Sequence, residues 1–110
     1  RVETLKDKNR FKGYESLSIV TPKEDKMILA AKAGSANIQL HIQPALQTNH
    51  EVSLFLDGKE IQRGPQLYFE LQNIYRGSHL LQAKIKYKGK LLISSPKRRI
   101  HVQRPSILNR

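Results

Sequence analysis

Residues 73–90 read "NIYRGSHLLQAKIKYKGK". From Ser78 onward the side chains take turns. His79, Leu81, Ala83, Ile85 and Tyr87 fall on one side, and Lys84, Lys86 and Lys88 on the other. A period of two belongs to extended backbone, because successive Cβ atoms point to opposite faces of a sheet. A helix needs its apolar residues three and four apart, a pattern this stretch lacks. The segment is therefore read as a strand with one oily and one charged face. Arg76-Gly77 marks a turn before it, and Lys88-Gly89-Lys90 marks another after it.

The same period runs outward in both directions. Downstream, "LLISS" continues from the turn, and Pro96 separates it from "RRIHVQR", where Ile100 and Val102 are in phase. Pro cannot donate to a ladder, so Pro96 predicts an edge position or a bulge where the strand changes partner. Arg98, on the inward phase beside Ile100, is expected to be re-aimed by that bulge. Upstream, "PQLYFELQN" buries Leu67, Phe69 and Leu71, and "HEVSLFLDGKEI" sets Val52, Leu54 and Leu56 inward before an Asp57-Gly58 hairpin signal. "ANIQLHIQP" places Ile38, Leu40 and Ile42 against Gln39, His41 and Gln43; "KMILAAKAGS" is a short apolar run closed by Gly34-Ser35. "YESLSIVTP" alternates Leu17 and Ile19 with serines until Pro22. Residues 1–13 are polar and aperiodic, read as a linker or N-terminal tail, with the domain over 14–106 and a C-terminal tail over 107–110.

Seven to eight short strands at regular spacing, with turn residues between them, predict an all-β fold. The expected form is an immunoglobulin-like or fibronectin-type antiparallel β-sandwich, with a small closed barrel as the alternative. The 110 residues make one domain. Cys and Trp are absent, so the core rests on aliphatic burial, and no disulfide, thiolate metal site or thiol nucleophile exists. No run of 18 apolar residues forms a transmembrane helix. The start at Arg1, without Met or leader, reads as a piece of a longer protein.

Four stretches carry a family likeness: "YESLSIVTPKEDKMI" (14–28), "NIQLHIQPALQTNHEVSLFLDGKEI" (37–61), "FELQNIYRGSHLLQAKI" (69–85) and "IHVQRPS" (100–106). In this order they resemble the C-terminal immunoglobulin-like domain of uncharacterised Gram-negative envelope proteins that carry an N-terminal domain of unknown function. The matching pattern is carried by Pro44 to Gln47, His50, Leu56 to Gly58, Arg76 to Ala83 and Arg104 to Ser106. The resemblance implies a periplasmic or envelope-associated, non-catalytic module that acts as a spacer or protein-interaction domain with an envelope partner. It departs at "KIKYKGK", where such proteins tend to carry acidic or neutral residues and an Asp-Gly turn.

The charge is lopsided. Of the formal +11, residues 1–70 hold ten Lys/Arg against nine Asp/Glu, and residues 71–110 hold ten Lys/Arg and no acid. Such asymmetry points to an anionic partner without bearing on the fold. Lys84, Lys86 and Lys88 stand about 7 Å apart along one strand face, inside the screening length of about 8 Å at physiological salt. Lys97 and Arg99 join them if register permits. The row has two readings: a solvated face that discourages edge pairing, or a polyanion-binding surface for an anionic cell-wall polymer, lipid head groups or nucleic acid. Nucleic acid is the least favoured of these. Base stacking needs interleaved aromatics; Tyr87 is on the opposite phase and Phe55 alone points outward.

No chemistry-bearing constellation emerges. His41, His50, His79 and His101 have no metal-motif spacing, and no cofactor is expected. No nucleophile elbow or phosphate loop appears, so no catalytic residue is assigned. Arg76, Gly77 and His79 are read as a structural corner between the sheets, with His79 tying the corner to nearby backbone as Tyr does elsewhere.

Overall fold

The computed structural model describes residues 11–29 and 36–103 of the chain, and every regular element among them is extended. The strands are β1 (Ser16–Thr21), β2 (Lys26–Leu29), β3 (Ala36–Gln43), β4 (Glu51–Leu56), β5 (Lys59–Gly64), β6 (Tyr68–Leu71), β7 (Gly77–Tyr87), β8 (Lys90–Ser94) and β9 (Arg98–Gln103). They form two sheets. One has the order β1-β3-β6; the other runs β2-β9-β7-β4-β5, with β8 also paired to β7. Among the described residues the sheets do not close into a barrel.

Turn chemistry sets the hairpins. Asp57 and Gly58 join β4 to β5 with φ of 54° and 86°, and Lys88 and Gly89 join β7 to β8 with φ of 51° and 80°. Positive φ at both central residues is the tight hairpin turn whose twist matches that of the strands, which is why glycine takes the second position. At the other end of the second hairpin, Pro96 divides what would be one strand into β8 and β9. Both lie along β7, β8 opposite residues 84–87 and β9 opposite residues 77–81. Ser95 carries the ladder across the break. Its Oγ accepts the Ala83 N–H (2.9 Å) and its own N–H donates to the Ala83 carbonyl (2.8 Å).

Alternation alone did not anticipate one pairing. β1 lies antiparallel on β3, but the chain then crosses at Pro22 and β2 runs parallel to β9. Both pieces are short, and the two apolar runs contain nothing that states their partners. Arg98 also differs from expectation. It keeps the inward phase opposite Leu81 and is accommodated by partners, donating to the Pro22 carbonyl (2.9 Å) and pairing with Glu24 (3.5 Å).

The core lies between the sheets. Phe69, Ile38, Leu54, Leu81, Ile85 and Ile100 are fully buried, closed on one side by Leu17 and Ile19 of β1. Each such side chain contributes about 1.5–3 kcal/mol. The outward faces differ sharply. β7 presents Lys84 and Lys86 beside Glu51 and Ser53 of β4, while the three-stranded sheet presents Asn37, Gln39, His41 and Gln43 along β3. Residues 1–10 of the expected N-terminal tail, the Gly34-Ser35 turn, the closing Arg104–Ser106 and the C-terminal tail lie outside the described residues.

Candidate functional site

The five cations singled out in the sequence do not form one row. Lys84 and Lys86 share the outer face of β7, and both reach over the Phe55 ring, at 4.5 and 5.6 Å from its centroid. Phe55 does face outward, on the neighbouring strand, and serves as a platform for ammonium groups. Lys86 lies 3.9 Å from Glu60, which also holds Arg63 at 3.1 Å; Arg63 in turn reaches Glu51 at 3.8 Å. Acids from β4 and β5 thus balance the middle of the stripe, although no acid follows residue 70 in sequence. Lys97 joins Lys84 in a hollow of about 440 Å³ floored by Phe55, Gln82 and Asp57. Arg99 lines a smaller hollow beside it with Ser78 and His79. Lys88 is elsewhere: as the first turn residue it leaves the strand face, and its Nζ sits 5.4 Å from the Tyr87 ring.

The corner is built more tightly than the basic face. His79, with 11% of its side chain exposed, places Nδ1 2.6 Å from Asp57 Oδ2 and Nε2 2.6 Å from the Tyr75 carbonyl. A carboxylate and a carbonyl can only accept, so both ring nitrogens must donate, and that requires the imidazolium. Asp57 Oδ1 accepts the Leu80 N–H at 2.8 Å, and the Asp57 N–H donates to the Leu80 carbonyl at 2.7 Å. The β4–β5 turn is thereby clamped to the start of β7. Burial would pull the His79 pKa down, but the bonds to Asp57 and Tyr75 and the carboxylate charge outweigh it and hold the pKa above its ordinary value. For Asp57, burial pushes up, and the bonds from His79 and Leu80 prevail, leaving the carboxyl below its ordinary value. Arg76 and Gly77 stand just before this clamp, Gly77 with φ of 125°, where a Cβ is disfavoured.

Two more histidines act as fasteners. His101 Nε2 donates to Asp25 (3.1 Å) and its Nδ1 meets the Ser78 hydroxyl (2.8 Å), tying the β1–β2 connection to β9 and β7. His50 is buried. Tyr14 Oη accepts the Gln47 N–H (3.0 Å) and lies 2.7 Å from His50 Nδ1, while Phe11, Tyr14 and Tyr87 ring the imidazole at centroid distances of 5.5, 5.6 and 4.8 Å. No local pattern in the sequence signals this cluster, whose members are spread from residue 11 to residue 87. His41 is exposed on β3. Among the described residues no three His, Asp or Glu side chains converge as a metal site, and no helix is long and apolar enough to cross a membrane.

No protein-family model matches the chain, and no curated protein matches it by sequence at a significant level. Solved structures do match. A fibronectin(III)-like module of Clostridium thermocellum CbhA superposes with a TM-score of 0.67 at 17% identity, over 84% of this chain and 99% of that one. The PKD domain of human KIAA0319 superposes with a TM-score of 0.56 at 11% identity, over 90% and 91%. The class is therefore defined by its fold: the chain is an immunoglobulin-like β-sandwich. At these identities the likeness speaks of fold alone.

Proposed function

We propose that the chain is a non-catalytic immunoglobulin-like module of a bacterial envelope protein, acting there as a spacer or protein-interaction domain. The observation that carries this reading is the use made of its ionisable groups. His79 with Asp57, His101 with Asp25 and Arg98 with Glu24 each fasten one connection to a strand, so these ionisable groups hold the frame together instead of gathering into a reactive site. Near-complete overlap with a fibronectin(III)-like module supports the modular character. The envelope location is supported by the sequence resemblance. Fractionation tests it: full-length protein carrying an epitope tag should be released by osmotic shock or become protease-accessible once the outer membrane is permeabilised. Retention in the cytoplasm refutes it.

A second reading, polyanion binding, has one specific support. Lys84 and Lys97 meet in one hollow, and Arg99 lines the next. A polyanion binder loses affinity with salt by about 0.7–0.9 log units per log unit for each phosphate neutralised. Titration with heparin across a salt series, on wild type and a Lys84→Gln/Lys97→Gln variant, decides it. A flat salt response sinks this reading and leaves the module reading in place.

A further inference from the structure

The outer face of β7 and its neighbours sets leucines among its cations. Leu80, Gln82, Lys84 and Lys86 point outward in turn along β7, roughly 7 Å apart by strand geometry. Residues opposite one another on paired strands share a face, so Leu91 of β8 stands beside Lys86, and Arg99 of β9 beside Leu80. Leu80 and Leu91 are 38% and 48% exposed. From Gly77 to Gln103, the span of β7, β8 and β9, the chain holds no Asp or Glu.

The cations at the centre of this face are uncompensated. No carboxylate of a described residue pairs with Lys84, Lys97 or the Arg99 side chain. Asp57 lines both of the hollows that these three line, but its oxygens are taken by His79 and the Leu80 N–H. Glu24 accepts the Arg99 backbone N–H (3.3 Å) and pairs its charge with Arg98. Glu60 is shared between Lys86 and Arg63. What is left is a positive centre with exposed leucines on the same face.

A water-soluble polyanion would use the cations and gain nothing from the leucines, which a face built for solubility keeps few. An anionic bilayer uses both, because phosphates lie at its surface and the acyl boundary lies just beneath. We propose that this face docks on an anionic phospholipid surface. Leu80 and Leu91 enter the boundary between head groups and acyl chains, while Lys84, Lys97 and Arg99 meet the phosphates. The lysine stems lie along the apolar layer and their ammonium groups stay at head-group level. The inference rests on the polyanion reading of the basic face and names its ligand.

Co-sedimentation tests it, using vesicles of phosphatidylcholine alone and of phosphatidylcholine with an equal part of phosphatidylglycerol, and heparin is titrated in parallel. The proteins are wild type, Lys84→Gln/Lys97→Gln, Leu80→Ser/Leu91→Ser and Lys23→Gln/Lys26→Gln, each first shown to melt as wild type does. Leu91→Ser alone replaces the double leucine change if that pair lowers the melt. The Lys23 and Lys26 pair removes the same charge from a different place, a cleft lined also by Gln39 and Tyr68 of the other sheet. Wild type should bind the mixed vesicles and leave phosphatidylcholine alone unbound. Losing Lys84 and Lys97 should weaken vesicle binding about 25-fold, about fivefold for each cation. Losing the leucines should weaken it about tenfold and leave heparin unaffected. The Lys23 and Lys26 changes should cost far less. Failure to bind the mixed vesicles overturns the inference; heparin binding then leaves the polyanion reading standing, and its absence removes that reading as well. Vesicle binding that ignores the leucine changes, or falls as far with Lys23 and Lys26 as with Lys84 and Lys97, overturns it too.

Discussion

His79→Ala should be among the most costly single changes outside the apolar core, and its cost should depend on pH. The substitution removes a donor to the Tyr75 carbonyl and a donor to Asp57. A hydrogen bond to a neutral carbonyl is worth about 1 kcal/mol net. The bond to the carboxylate would be worth more if buried, but half-exposed Asp57, at 49%, reduces it to about 1 kcal/mol. Loss of a mostly buried ring adds up to about 1 kcal/mol, for a total of about 2–3 kcal/mol. The pH window follows from the directions of the two shifts. The His79 pKa is raised, so its contribution is complete below the ordinary 6.5 and fades as pH rises through the raised value. The Asp57 pKa is lowered, so its contribution is complete above 3.8 and fades as pH falls through the lowered value. Between 3.8 and 6.5 the clamp is whole. Urea unfolding of wild type, His79→Ala, Asp57→Asn and the double variant closes a cycle. Coupling of about 1 kcal/mol is expected in that window, and it should shrink as pH rises through the raised His79 value. A coupling that is absent in the window, or unchanged at high pH, refutes the imidazolium clamp.

Other changes test the frame. Phe69→Ala should cost about 3–5 kcal/mol in urea unfolding, since its ring is fully buried between the sheets. Ser95→Ala should cost about 1–3 kcal/mol by stranding the Ala83 N–H, and hydrogen exchange at the Ala83 amide should accelerate while that of Leu54 holds. Ser53→Ala should be neutral or stabilising by up to about 1 kcal/mol, because its Oγ is buried with no hydrogen-bond partner among the described residues; a loss of melting temperature would contradict this. Gly58→Ala should cost about 1 kcal/mol through its φ of +86° rather than through crowding, as the space around it is open.

Local signals made most of the strand pattern readable. The alternation matches burial along β3 and over residues 79–86 of β7, while Tyr87, expected on the inward side, is exposed at the turn, and Asp57-Gly58 and Pro96 mark their turn and break without help from distant residues. Long-range pairing was not readable. The parallel seat of β2 on β9 depends on where the chain crosses at Pro22, and the partner of Arg98 comes from that same crossing. The lysine row misled for a similar reason. Its period is real, but Lys88 is bent away by the turn, and Lys86 meets an acid two strands off. Sequence asymmetry of charge is therefore weaker in space than along the chain.

Methyl-labelled NMR tests the two-sheet packing most directly. Cross-peaks should join Leu17, Ile19, Ile38 or Leu40 of one sheet to Leu54, Leu81 or Ile85 of the other, all members of one buried cluster. Cross-peaks confined within each sheet, with those methyls exposed to solvent probes, would contradict the sandwich and everything built on its faces.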